Sequence, residues 1–340
     1  MLHSLSLAAE RTARLRVMRF LFLLAALAPL AAAQTTSGTV LVADQQSATA
    51  TIIDVATKAT TSIPVGNGPH ETIISPDGKW GVVTVYGVAG APGNKLAVID
   101  LPAKKLVRTV DLGTYTRPHG ASFIPGSPNL VAITSEATQN VVIADIAKGE
   151  VVAAIPTQHP GSHMLGLTAD GKRAYTANVQ WGGISELDLE KRAFVRDLHA
   201  STATEGIGVA PDGNTVMIAS RDSATVTVID TKAWVVVETI KGFGLPYRVG
   251  YSPNSAIAVV VDAKDGKIHI VDVKSRKVTG EIALDGSPRG VKIAPDNRTA
   301  FVTLAGTNTV AAVDLTDKKV LWTAPVGTAP DGVGYGPIAR

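Results

Sequence analysis

The stretch VTVIDTKAWVVVETIKGFGLPYRVGYSPNS, residues 226–255, contains one turn of the pattern that organises this chain. An alternating apolar run opens it and Asp230 closes that run. A second apolar run follows, then a Gly/Pro turn, then a third run ending in a Pro-Asn corner. The alternation has period two and the runs are rich in Val, Ile and Thr, which marks strands rather than helices. Read outward, the closing aspartate recurs at Asp54, Asp100, Asp145, Asp188, Asp230, Asp272 and Asp314, the last three intervals being 42 residues each. The corner recurs as SPDGK at 75–79, APDGN at 210–214, SPNS at 252–255 and APDN at 294–297. Pro presets φ in such a turn and Gly supplies a positive φ. A fourth run follows each corner, as in TVMIAS at 215–220. Four short strands per repeat predict an all-β fold, a seven-bladed β-propeller with four-stranded antiparallel blades. The chain starts with three strands and no inner strand before them, and it ends in DGVGYGPIAR, an inner strand with no successors. The C-terminal strand is therefore expected to join the N-terminal blade and close the ring, which removes exposed sheet edges.

Residues 20–33 read FLFLLAALAPLAAA, preceded by Arg11, Arg14, Arg16 and Arg19. Fourteen apolar residues are too few to span a bilayer and suit the core of a signal peptide, with Ala31-Ala32-Ala33 as the cleavage signal. Residues 1–33 are read as that signal, with Met18 as an alternative start, and 34–340 as a single propeller domain. The protein is expected to be periplasmic or secreted, with no membrane span after cleavage. The formal net charge of +3 comes from 32 basic and 29 acidic residues. The leader holds four of the former and one of the latter, so the remainder carries 28 of each and is neutral. That balance lacks the electrostatic footprint of a nucleic-acid binder. With no Cys in the 340 residues, disulfides, thiolate metal sites and c-type haem attachment are excluded. No phosphate loop, nucleophile elbow, HExxH or EF-hand motif occurs.

The repeats VTVIDTKAWVVVETI, IHIVDVKSRKVTGEIAL and AVIDLPAKKLVRTVDLG, each followed by a G-x-P turn and a PDGK-like corner, resemble the YVTN-type repeat. Nearly all of residues 38–340 is similar to the secreted, YncE-like seven-bladed propellers. The resemblance implies the fold and leaves the function open. More distantly, such repeats resemble the propeller that carries haem d1 in cytochrome cd1 nitrite reductases. That propeller has eight blades against the seven expected here, which argues against haem d1.

The seven repeated aspartates fit a turn-setting role. Six residues before each corner stands a more varied set: His70, His119, His163, Glu205, Tyr247, Arg289 and Asp331. Each opens the innermost strand of a blade, so all seven should stand at one height around one mouth of the channel. Three imidazoles on consecutive blades are candidate ligands for Zn, Cu or Fe, with Glu205 next to them. Asp331 neighbours His70 around the ring. His with Glu205 could form an acid–base pair, and Arg289 could hold a carboxylate or phosphate. The first complete repeat also has extra length, placed in a loop Tyr86–Lys95 on the same face, and the equivalent loop 178–183 carries Trp181. Tyr86 and Trp181 therefore join the candidate ligand-binding residues. His159, His199 and His269 lie outside the ring register and are read as structural or solvated. Two functions are open: a monomeric binding protein that docks a small ligand or a partner protein at the mouth, or a metal- or cofactor-dependent enzyme such as a lyase, a lactonase or a d1-haem-type redox protein.

Overall fold

The computed structural model describes residues 37–339. The signal segment 1–33, including the Met18 start, lies outside the described residues. Residues 37–339 form seven four-stranded antiparallel sheets and no helix. Blade 1 is assembled from both ends of the chain, in the order Pro330–Gly336, Thr39–Asp44, Thr49–Asp54, Thr60–Pro64. Blades 2 to 7 follow in sequence. Their inner strands are Pro69–Ile74, Pro118–Phe123, Ser162–Leu167, Thr204–Val209, Pro246–Tyr251 and Pro288–Ile293. The closing strand pairs Val40 with Tyr335 and Val42 with Val333, so the ring is sealed by a backbone ladder.

The strands exist because each side of a blade is apolar. The buried hydrophobic residues divide into seven clusters, and each bridges two neighbouring blades. The cluster between blades 7 and 1 packs Phe301 and Val310 against Val40, Val42 and Val333. No blade could bury its two faces alone, so the ring is the stable unit.

Turn chemistry is local and repeats faithfully. Each of the seven aspartates caps its own turn with Oδ1. Thr57 N–H donates to Asp54 at 2.8 Å, Ala103 to Asp100 at 2.8 Å, and Ser275 to Asp272 at 2.7 Å. The residue four positions after each aspartate is left-handed, including Lys58, Lys104, Trp234 and Lys318. In the corners, Gly78, Gly171 and Gly213 take the positive φ, as do Ser255 and Asn297 where no Gly is present. At Gly78 the fit is exclusive to Gly, because a Cβ would sit on the Pro337 carbonyl oxygen.

Candidate functional site

Every inner strand carries a register shift just after its first residue. In blade 2, Pro69 pairs with Val85 but Thr72 pairs with Val83, so His70 and Glu71 together oppose Thr84. Thr84 Oγ1 fills the gap by accepting the Glu71 N–H at 2.9 Å. Thr303 does the same for Gly290 in blade 7 at 2.7 Å. A bulge of this kind breaks the in/out alternation and turns extra side chains toward the bore. The sequence places one residue per blade at the mouth. The fold adds a second register one residue later.

The seven ring residues are each the second residue of an inner strand. Five of them form one chain of contacts, Asp331–His70–His119–His163–Glu205, with the three imidazoles at its centre. The His70 and His119 rings lie 4.6 Å apart between centroids, and His119 and His163 lie 3.7 Å apart. Their neighbours differ. Gln45 Nε2 donates to His70 Nε2 at 2.7 Å, and His70 Nδ1 stands 2.9 Å from Asp331 Oδ2. Nε2 of His70 is thus hydrogen-bonded, while Nδ1 faces a carboxylate without hydrogen-bond geometry. His163 lies between two carboxylates, with Nδ1 2.8 Å from Glu136 Oε2 and Nε2 3.1 Å from Glu205 Oε1. His119 is 1% exposed, and its Nδ1 has no hydrogen-bond partner among the described residues. Tyr247 lies beneath the Arg248 guanidinium at 4.4 Å, with Arg289 at 5.9 Å from the same ring.

The electrostatics follow from this placement. Burial, with the nearby His163, His70 and Arg248 charges, holds His119 well below the ordinary imidazole value, so it is neutral. Burial also works against charge on His163, but the hydrogen bonds to Glu136 and Glu205 outweigh it and raise its pKa. Glu205 is desolvated as well, yet His163, Arg248 and Arg221 bring it down to about 2. Asp331 is likewise lowered to about 2 against burial, by His70, Arg248 and Arg289. Tyr247 is pushed up to about 12, chiefly by burial.

Arg248, Glu71, Glu136 and Arg221 were not in the sequence-derived set. Arg248 crosses the bore from blade 6 to reach Glu71 Oε1 of blade 2 at 2.8 Å, with Glu205 Oε1 at 3.8 Å. A signal for it exists. Its register reads Glu71, Gly120, Met164, Gly206, Arg248, Gly290 and Gly332. Gly predominates because inner strands crowd there: a Cβ on Gly206 would lie 2.4 Å from the Tyr247 carbonyl oxygen. A charged residue in a glycine register is the mark. Glu136 and Arg221 belong to another register, which follows the second strand of each blade except in blade 2, where the strand runs on through it: Gln45, Tyr86, Glu136, Val179, Arg221, Ala263 and Ala305. All seven donate their backbone N–H to the residue two before the ring position, such as Tyr86 to Gly68 and Glu136 to Arg117. Their side chains therefore overhang the mouth. Arg221 Nε lies 3.1 Å from Glu205 Oε2.

Tyr86 lies at the ring, 4.5 Å from His70 and 5.5 Å from His119 between centroids. Its hydroxyl donates to Glu136 Oε1 at 3.2 Å. The expected loop Tyr86–Lys95 is instead a prolonged hairpin. Strand pairing continues through Gly87 with Pro92 and Val88 with Ala91, so the extra residues extend the sheet. Trp181 does not join the ring. It stacks on His159 at 3.6 Å and meets His199 edge-on, because its turn holds it over the outer part of blade 4. His269 is buried in its strand beside Asp262 and Glu281.

Beside the imidazoles lies a cavity of about 490 Å³ whose lining includes Gln45, Asn67, His70, Tyr86 and Arg117. The Arg117 guanidinium sits 4.9 Å over the Tyr86 ring. No carboxylate of the described residues forms an ion pair with it.

Fold and site together define the class, a seven-bladed β-propeller with an ionisable channel mouth. Residues 191–338 match the family model described as YNCE-like beta-propeller, and the chain's fold agrees with that match throughout the ring. No curated protein matches the sequence. Among solved structures, the fold is similar to a chain of Kuenenia stuttgartiensis hydrazine synthase. The two share 16% identity and a TM-score of 0.72, over 82% of this chain and 92% of that one. At that identity the likeness is one of fold alone. No helix among the described residues is long and apolar enough to cross a membrane.

Proposed function

We propose that this propeller is an exported binding protein that holds a small ligand with an anionic group at the mouth of its channel. Export rests on the apolar, A-x-A-terminated segment ahead of the propeller. The observation that carries the binding reading is Arg117. Its backbone is left-handed at φ 55, in a register that Gly68, Gly161, Ala203 and Ala329 occupy with similar positive φ. A long β-carbon-bearing side chain there costs about 1 kcal/mol relative to Gly. In return it presents a guanidinium without a carboxylate to a cavity lined by the His70 and Tyr86 rings together with amide and small apolar residues. Arg recognises carboxylate and phosphate by a two-pronged contact, and Tyr86 and His70 offer flat faces to the remainder of a ligand. Glu205, Arg289 and Asp331 supply charge, and Tyr247 a neutral phenol, in the ring beside the cavity. A protein partner would use the same mouth by inserting an acidic side chain.

The test is a melting-temperature screen with small carboxylates and phosphate esters. At least one class should stabilise the wild-type protein. In Arg117→Gly that stabilisation should vanish, while the unliganded protein melts at the same temperature or slightly higher. A shift that persists in the variant, or none in the wild type, refutes the reading.

A catalytic role draws on the Glu136–His163–Glu205 chain, which can hold and pass a proton next to the cavity. It would appear as turnover of a bound ligand that Glu205→Gln abolishes while binding survives.

A further inference from the structure

The geometry points to a divalent transition-metal site formed by His119, His163 and Glu136, next to the anion pocket. One potential ligand atom from each of these residues lies within 4.8 Å of the others. Two imidazoles and one carboxylate suit borderline cations such as Zn²⁺ or Fe²⁺, which take nitrogen and oxygen donors together. Proximity alone would not suffice, since buried histidines often pair structurally. The second observation is His119. It is almost fully buried, and its Nδ1 finds no hydrogen-bond partner among the described residues. A buried imidazole is normally satisfied on both nitrogens. Its ring centroid lies 3.7 Å from that of His163, and one of its nitrogens is within 4.8 Å of ligand atoms of His163 and Glu136, so a buried imidazole with an unused nitrogen borders the place a cation would fill.

The surroundings are arranged as metal ligands require. Glu136 presents Oε2 toward His163 while the Tyr86 hydroxyl holds its other oxygen at 3.2 Å. Glu205 grips the far nitrogen of His163 at 3.1 Å and is itself fixed by Arg221. A carboxylate on the remote nitrogen fixes the tautomer and orients the ring. Glu205 and Tyr86 are therefore positioning residues, not ligands. The cation would enter between His163 Nδ1 and Glu136 Oε2 and replace the proton they share, which leaves to solvent. His70 is outside this set despite its ring contact with His119, because it does not fall within the 4.8 Å group and Gln45 holds its Nε2 at 2.7 Å. The three-histidine set suggested by the ring register thus gives way to two histidines and the overhanging Glu136. Glu71, Glu205 and Asp331 supply nearby negative charge to offset Arg248.

The experiment uses the full propeller, stripped with chelator and titrated with Zn²⁺ or with Co²⁺ as a spectroscopic probe. About one ion per chain should bind, with visible d–d bands for Co²⁺ and a raised melting temperature. His119→Ala should remove the bands. Should that variant fold poorly, the near-isosteric Glu136→Gln serves, and its affinity should fall at least about tenfold. Absence of a stoichiometric ion in the wild type, or full-affinity binding in Glu136→Gln, overturns the assignment.

Discussion

A chain that stops after Ala329 should not give a stable monomer. Without Pro330–Gly336, blade 1 has three strands and Thr39–Asp44 becomes a raw edge. The cluster between blades 7 and 1 loses Val333 and its packed neighbour Tyr335, which stacks on Phe301 at 5.3 Å. The inner face of blade 2 also loses its contacts with Gly332 and Gly334. An open ring exposes two blade faces as well as an unpaired ladder, a known route to aggregation. The loss should exceed the whole stability margin of an ordinary domain, roughly 5–15 kcal/mol. Size-exclusion chromatography and thermal circular dichroism should show aggregate or expanded chain. Addition of the peptide 330–339 should recover monomer. A monomeric truncated protein that melts cooperatively within a few degrees of the parent would show that closure is dispensable.

Arg248→Met should be the most damaging single substitution at the site. Arg248 is 4% exposed, and its charge serves Glu71, Tyr247, Asp331 and Glu205 together, which hold its pKa above the ordinary value despite burial. Removing one partner of a buried ion pair leaves the other charge uncompensated, at about 3–5 kcal/mol. Three carboxylates then crowd the bore, Glu71 and Glu205 first. For a domain of this size the melting temperature should fall by roughly 6–15 °C. Adding Glu71→Gln should restore part of that loss, since it removes the nearest orphaned carboxylate. If Arg248→Met melts within about 2 °C of the wild type, the bore is wet enough to screen the network and the argument from burial fails.

These expectations differ in how far the sequence leads to them. Closure is legible from the chain ends, because a repeat that starts without its inner strand and finishes with one must complete itself. The seven blades, the aspartate-capped turns and the corner residues are legible for the same reason: each depends on residues a few positions apart, and the repeat states them seven times. The ring of His70, His119, His163, Glu205, Tyr247, Arg289 and Asp331 also follows, since a common register in equivalent strands gives a common height. Tertiary structure alone decided which of these side chains face one another and what stands beside them. The bulge in each inner strand cancels simple alternation, so Arg248 and Glu71, 177 residues apart, meet across the bore. Glu136 reaches His163 of the next blade because of blade-to-blade stagger, which no local pattern encodes. Trp181 goes the other way, drawn onto His159 and His199 by stacking that only the folded blade makes available. Local chemistry repeats in sequence and can be counted there. Pairing across an axis depends on closing the ring, and the residues that pair have no sequence proximity to reveal it.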